Sequence, residues 1–186
     1  LKANGCRVIG LDFDISKVNL AKKWGIESYS VESNNVVDLI NKISNNIGVD
    51  GVLITASAKG NTIISESAQI CRQRGRIVLI GVVGLDINRS DMYEKEISFQ
   101  VSCSYGPGRY DVNYEEKHLD YPIGFVRWTQ KRNFEAVLEA INNNSLDVKS
   151  LITNRTNLDN FKDIYDNFSN YKVIASIINY DVRKTD

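Results

Sequence analysis

The feature that most constrains this chain is the run Arg76-Ile-Val-Leu-Ile-Gly81, an unbroken apolar stretch closed at each end by glycine. A strand that is half solvated alternates apolar and polar residues. A continuous apolar run predicts burial on both faces, as in a parallel sheet with helices packed above and below. The flanking sequence repeats the theme. Arg7-Val-Ile-Gly-Leu-Asp12 reads as a short strand, Ser28–Ser30 as a brief one, Val49–Ala56 as a third and Ile97–Cys103 as a fourth. Between them lie segments with helical spacing: Ile15 to Trp24, closed by Gly25; Val36 to Ile43, with Asn34 or Asn35 as cap; and Asn61 to Arg74, closed by Gly75. A helical turn is expected at Asp91–Lys95.

Strands and helices alternating at this spacing predict an α/β fold, a Rossmann-like parallel sheet with flanking helices and right-handed crossovers. A long aromatic and glycine-bearing loop starts at Tyr105. Beyond it the pattern predicts a helix over Phe125–Asn142, a strand at Leu151–Thr153, a helix over Leu158–Phe168 and a last strand over Lys172–Ile178.

Composition narrows the function classes. Lys plus Arg and Asp plus Glu both number 23, and no basic stripe is present, which argues against a nucleic-acid partner. No apolar run reaches the roughly 20 residues that span a bilayer, so no membrane partner is expected. The three cysteines, Cys6, Cys71 and Cys103, stand far apart and are odd in number, which points to a reducing, cytoplasmic setting. With one histidine, His118, and no close cysteine pair, the usual zinc ligand sets cannot be assembled from this sequence. His118, in a polar Glu-Glu-Lys-His-Leu-Asp run, reads as solvated rather than catalytic.

The chemistry-bearing residue is Asp12. In dinucleotide-binding folds, the strand after the first crossover ends in an acidic residue whose carboxylate takes the adenosine ribose hydroxyls. Such a carboxylate repels a 2′-phosphate, so NAD is favoured over NADP. The competing reading is that Asp12 starts a turn and caps the helix near Ile15, a role that Asp14 could fill instead. Ile80, Gly81 and Val82 end the strongest strand at the side where ligands bind in open α/β sheets. A glycine there lets the backbone approach a nicotinamide ring closely, although a plain strand-to-loop glycine is the commoner case. Thr55 and Ala56 end their strand in the same layer and are small enough to leave room for a cofactor. The partner fingerprint G-x-G-x-x-G is expected about 20 residues before the acidic residue, which lies upstream of Leu1. On that register the sequence begins inside a domain, without its first strand and glycine loop. The strand edges on either side of that position would then be unpaired, which favours association.

These residues resemble the medium-chain dehydrogenase/reductase family, of the zinc-containing alcohol dehydrogenase type. The matching phrases are Val8-Ile-Gly-Leu-Asp-Phe-Asp-Ile-Ser-Lys17, Leu20-Ala-Lys-Lys-Trp-Gly25, Val49-Asp-Gly-Val-Leu-Ile54 and Gly75-Arg-Ile-Val-Leu-Ile-Gly-Val82, in the family's order. Cys103-Ser-Tyr-Gly-Pro-Gly-Arg-Tyr-Asp111 and Asp120-Tyr-Pro-Ile-Gly-Phe-Val-Arg-Trp128 look like a bacterial branch fused to a Gfo/Idh/MocA-type oxidoreductase domain and associated with sugar and surface-polysaccharide synthesis. The resemblance implies that Asp12 and Lys17 flank the adenosine ribose and that Thr55, Ala56, Ile80, Gly81 and Val82 line the cofactor path. It also implies that Ser102 and Ser104 meet the nicotinamide carboxamide and that Lys172 lies near the pyrophosphate. Residues 1–104 would form the dinucleotide-binding domain. Residues 105–186 would pack on it and on a catalytic domain outside this sequence, which would hold any zinc.

The implied activity is hydride transfer between a nicotinamide and an alcohol, aldehyde or sugar-derived substrate, in a homo-oligomer; the 186 residues by themselves are expected to be inactive. Two alternatives remain open at this point: an inert interaction module, and a Rossmann-like methyltransferase, whose strand-end acid also binds ribose hydroxyls.

Overall fold

The computed structural model describes residues 1–166 and 173–180. It divides into two compact units, 1–130 and 131–186. In the first, β1 (Ile9–Asp12) leads into α1 (Ile15–Lys23), β2 (Glu27–Ser30), α2 (Val36–Ile43), β3 (Val49–Ile54), α3 (Thr62–Ile70), β4 (Cys71–Leu79), α4 (Arg89–Tyr93), β5 (Ser98–Val101) and a short α5 (Val112–Glu115). Local chemistry sets the helix ends. Asn35 caps α2 by accepting the Asp38 N–H. Gly25 follows α1 at φ 69°, a left-handed position that suits a glycine after a helix. The Lys2 ammonium donates to the Trp24 carbonyl at 2.6 Å, supplying positive charge where the helix dipole is negative.

The strands form two parallel sheets, β1–β2 and β3–β4–β5. Among the described residues no pairing joins β1 to β3. In a doubly wound order, that is where the first, central strand stands. The core lies on one face of the three-stranded sheet, where Ile54, Ile77 and Leu79 pack with Ile64, Ala68 and Cys71.

Two expectations need correction here. The apolar run after Arg76 is buried on one face, not on both. Ile77 is fully buried and Leu79 nearly so, but Ile80 is 52% exposed and Leu53, on the neighbouring strand, 45%. The helices α3 and α4 follow the strands they serve and cover the same side, leaving the other face open within this unit. The third helix also ends early, at Ile70, and β4 begins at Cys71 instead of Arg76. Its first residue pairs with Val49, then the register jumps so that Gly51 faces Arg76, with Arg74 left-handed at φ 58°. The Lys95 ammonium holds this bend by donating to the carbonyls of Ala68 (3.1 Å), Gln69 (2.6 Å) and Cys71 (2.8 Å).

In the second unit, most of α6 (Gln130–Asn142) precedes β6 (Ile152–Asn157), α7 (Phe161–Asp166) and β7 (Ala175–Asn179), and β6 and β7 pair in parallel. The helix α6 starts five residues later than its periodicity suggests, because Phe125 and Val126 close turns onto the Pro122 carbonyl.

Candidate cofactor site

Asp12 closes β1 and is half-buried. Its backbone carbonyl accepts the Val31 N–H at 3.2 Å, which fixes the strand end against the segment after β2. Its carboxylate oxygen Oδ1 accepts the Asp14 N–H at 2.9 Å. The cap of α1 is Asp14, whose Oδ1 accepts the Ser16 N–H at 2.8 Å. Ser16, through hydrogen bonding, holds the Asp14 carboxyl below the usual aspartate value, and Lys17 adds a smaller favourable charge. The side chain of Asp12 is therefore not consumed by capping. One oxygen is oriented by a backbone N–H and the other has no protein partner among the described residues, which suits a pair of vicinal hydroxyls. Lys17 is exposed in the first turn of α1, next to Asp14.

The ends of β3, β4 and β5 form a second group. The register aligns Ile54 with Leu79 and Leu79 with Val101, so Thr55, Ile80 and Ser102 fall in one row. Ser102 is tied in by its N–H, which donates to the Leu79 carbonyl at 2.8 Å. Thr55, Ala56, Ile80 and Val82 are exposed along this edge, Val82 at 74%. Ser104 lies in the following turn at φ 40°. Asp12 ends a strand of the two-stranded sheet and Lys17 stands on the helix that follows it, whereas the other group lies at the three-stranded sheet; Lys172 lies outside the described residues.

Gly81 makes its close approach to protein. A Cβ there would stand 2.0 Å from the Ala56 carbonyl oxygen, because the N–H groups of Ile80 and Gly81 both donate to the Ile54 carbonyl at 2.9 Å. Strand pairing thus explains the glycine by itself. The pairing continues past the strand ends. Val82 N–H donates to Ala56 O, Ala58 N–H to Val82 O and Gly84 N–H to Gly60 O, at 3.0–3.2 Å. The Asp86 N–H then donates to the Asn61 side-chain oxygen at 3.1 Å. Sequence reading missed Asn61, since the only local signal is an amide after Gly60 that suggests a helix cap. In the structure it makes no side-chain cap bond to α3.

The loop after β5 is also braced. Arg109 pairs with Glu115 at 2.5 Å, Tyr121 donates to Asp111, and the Tyr114 and Tyr121 rings stack at 5.7 Å. His118 is exposed and left-handed at φ 58°. Among the described residues no three His, Cys, Asp or Glu side chains gather into a metal site. Zinc therefore does not fit the residues at hand, whereas the free carboxylate edge of Asp12 fits a ribose. Among the described residues no helix is long and apolar enough to cross a membrane.

These features define a Rossmann-like α/β fold of parallel sheets with flanking helices. The sequence profile described as zinc-binding dehydrogenase matches residues 1–121, and the chain belongs to that family. Solved structures repeat the fold. An alcohol dehydrogenase from Thermus sp. ATN1 is 15% identical with a TM-score of 0.72, covering 94% of this chain and 44% of its own. The 2R,3R-butanediol dehydrogenase of Bacillus subtilis is 17% identical at TM-score 0.73, covering 96% and 45%. Galactitol-1-phosphate dehydrogenase of Escherichia coli is 16% identical at 0.64, covering 88% and 43%. The chain thus spans less than half the length of these proteins.

Proposed function

We propose that this chain is the cofactor-binding part of an NAD-dependent oxidoreductase acting on an alcohol, aldehyde or sugar-derived substrate. The observation that carries the reading is the side chain of Asp12, spared from helix capping by Asp14 and aimed from a strand end. Its carboxylate accepts the two adenosine ribose hydroxyls and repels a 2′-phosphate, which selects NAD over NADP. Thr55, Ala56 and the backbone of Ile80–Val82 give the flat edge along which the dinucleotide lies, with Ser102 and Ser104 at the carboxamide end. Lys17 flanks the ribose and Lys172 serves the pyrophosphate. When bound, the nicotinamide exchanges hydride with a substrate carbon. The residues of this chain bind and orient it, with no acid–base role assigned to them. Substrate polarisation and a fused Gfo/Idh/MocA-type domain belong to the same proposal and rest on the resemblance alone, while a homo-oligomeric assembly is favoured also by unpaired strand edges.

Calorimetric titration with NAD, NADP and S-adenosylmethionine tests the reading. NAD should bind more tightly than NADP, and Asp12→Ala should weaken NAD about tenfold or more, the value of a hydrogen bond to a charged group. Binding of S-adenosylmethionine alone, or an unchanged NAD affinity in Asp12→Ala, would overturn it.

A further inference from the structure

We propose that Asn61 is a positioning residue for the nicotinamide half of the site, locking the loop after β4 to the loop after β3. The inference rests on the dinucleotide reading of the strand ends given above. Its basis is geometric. The two loops run on from the sheet as a ribbon whose rungs are Val82 N–H to Ala56 O, Ala58 N–H to Val82 O and Gly84 N–H to Gly60 O. Backbone groups make all three, and a fourth, outermost tie is the Asn61 side-chain oxygen accepting the Asp86 N–H at 3.1 Å. Gly84 lies so close beneath this amide that an added Cβ would stand 2.2 Å from Asn61 Oδ1 and 3.0 Å from Gly60 O.

Asn61 also stands at the N-cap position of α3, where an asparagine side chain ordinarily accepts a first-turn N–H. Here its backbone is in the helical region, φ −113° and ψ −3°, and it makes no side-chain cap bond. The α3 cap is given up for a tie to a loop 25 residues away. The consequence falls on Ile80, Gly81 and Val82. Their backbone is paired to the segment after β3 by its own rungs, and the Asn61 tie closes the ribbon beyond them, so loosening it lets the ribbon fray from its outer end toward Val82. Asp12 stands in the other sheet and is untouched by this tie.

The two halves of the cofactor therefore report separately. In the full chain, Asn61→Ala should weaken NAD about five- to tenfold, the equivalent of one net hydrogen bond, while ADP-ribose, which lacks the nicotinamide, keeps its affinity. Asn61→Asp, which retains the acceptor oxygen, should restore most of the NAD affinity, and Gly84→Ala should reproduce the defect from the other loop. Equal weakening of NAD and ADP-ribose marks a merely structural role and overturns the proposal, as does no change in either. Amide hydrogen exchange gives an independent reading: Val82, Gly84 and Asp86 should exchange faster in Asn61→Ala, and unchanged exchange also overturns it. If the wild type binds neither ligand, the dinucleotide reading has failed, and the positioning role falls with it.

Discussion

The carboxylate of Asp12 accepts the backbone N–H of Asp14 at 2.9 Å, while the side chain of Asp14 accepts the Ser16 N–H at 2.8 Å and caps α1. Two aspartates two positions apart thus divide the work. One stabilises a helix, and the other is held at a strand end with an oxygen to spare.

This division predicts opposite phenotypes. Asp14→Ala removes the cap and should lower the melting temperature by about 2–4 °C, the scale for one lost cap in a chain of this size. It leaves NAD affinity nearly unchanged, because the Asp12 carboxylate is oriented by a backbone N–H that alanine also provides. Asp12→Asn should do the reverse. Asp14 adds an acid dependence as well: its folded carboxyl lies below the ordinary 3.8, so its contribution is present above that pH and is lost as pH falls further. Parallel calorimetric melts and NAD titrations of the two variants check the point. Equal effects of the two variants on stability would contradict it.

The buried thiol gives a second prediction. Cys71 is 1% exposed, and burial pushes its pKa from about 9 up to about 11, against a smaller opposing pull from Lys95 and Arg72. The thiolate is the nucleophile. Iodoacetamide at pH 8 should therefore label the exposed Cys6 and Cys103 and spare Cys71 until the chain unfolds. Because the folded pKa is raised, the thiol's contribution to stability is complete below about pH 9 and lost as pH rises toward about 11. Peptide mapping by mass spectrometry reads the labelling directly.

How much of this was legible in the sequence depends on whether the deciding contact was local. The caps of α1 and α2 were readable as a choice of two residues each, Asp12 or Asp14 and Asn34 or Asn35, and Gly25 as a helix stop, because each rests on residues within one turn. The alignment of Thr55 with Ile80 was readable too, since parallel register follows from where apolar runs stop, whereas Ser102 entered only through the family resemblance. The start of β4 was not. Arg72, Gln73 and Arg74 are good helix formers, and what overrides them is pairing with Val49 and the Lys95 ammonium some twenty residues on. Burial on both faces was inferred from the apolar run alone, yet Ile80 faces a side that no helix of its unit covers. Asn61 was invisible for the same reason as β4: its partner, Asp86, is 25 positions away.

Lys95 itself is testable. Its ammonium satisfies three carbonyls where α3 turns into β4, groups that a helix end otherwise leaves to solvent. Lys95→Met keeps the aliphatic stem and removes the donors, which should cost about 2 kcal/mol in chemical denaturation. A loss below about 0.5 kcal/mol, the range of ordinary surface substitutions, would show that water replaces the ammonium.

The backbone that Lys95 holds also makes Gly48 irreplaceable. Gly48 enters β3 at φ 90°, and a Cβ there would stand 2.7 Å from both the Arg72 nitrogen and the Ile70 carbonyl oxygen, and 2.8 Å from the Cys71 carbonyl carbon. All three are main-chain atoms of the α3–β4 bend, so no side-chain rotation relieves the overlap. Gly60 is the matched control: its φ of 101° is equally unfavourable for a side chain, but nothing lies within 4 Å of an added Cβ. Gly60→Ala should therefore show backbone strain alone, about 1 kcal/mol. Gly48→Ala adds steric displacement of a tethered backbone and should lose about 3 kcal/mol or more. If the two alanines proved equally costly in denaturant titrations, the bend would be yielding, and the losses from Lys95→Met and Gly48→Ala should then simply add. If the bend is rigid, the wild-type lysine is what makes it so, and the double variant should fall short of the sum of the two single losses.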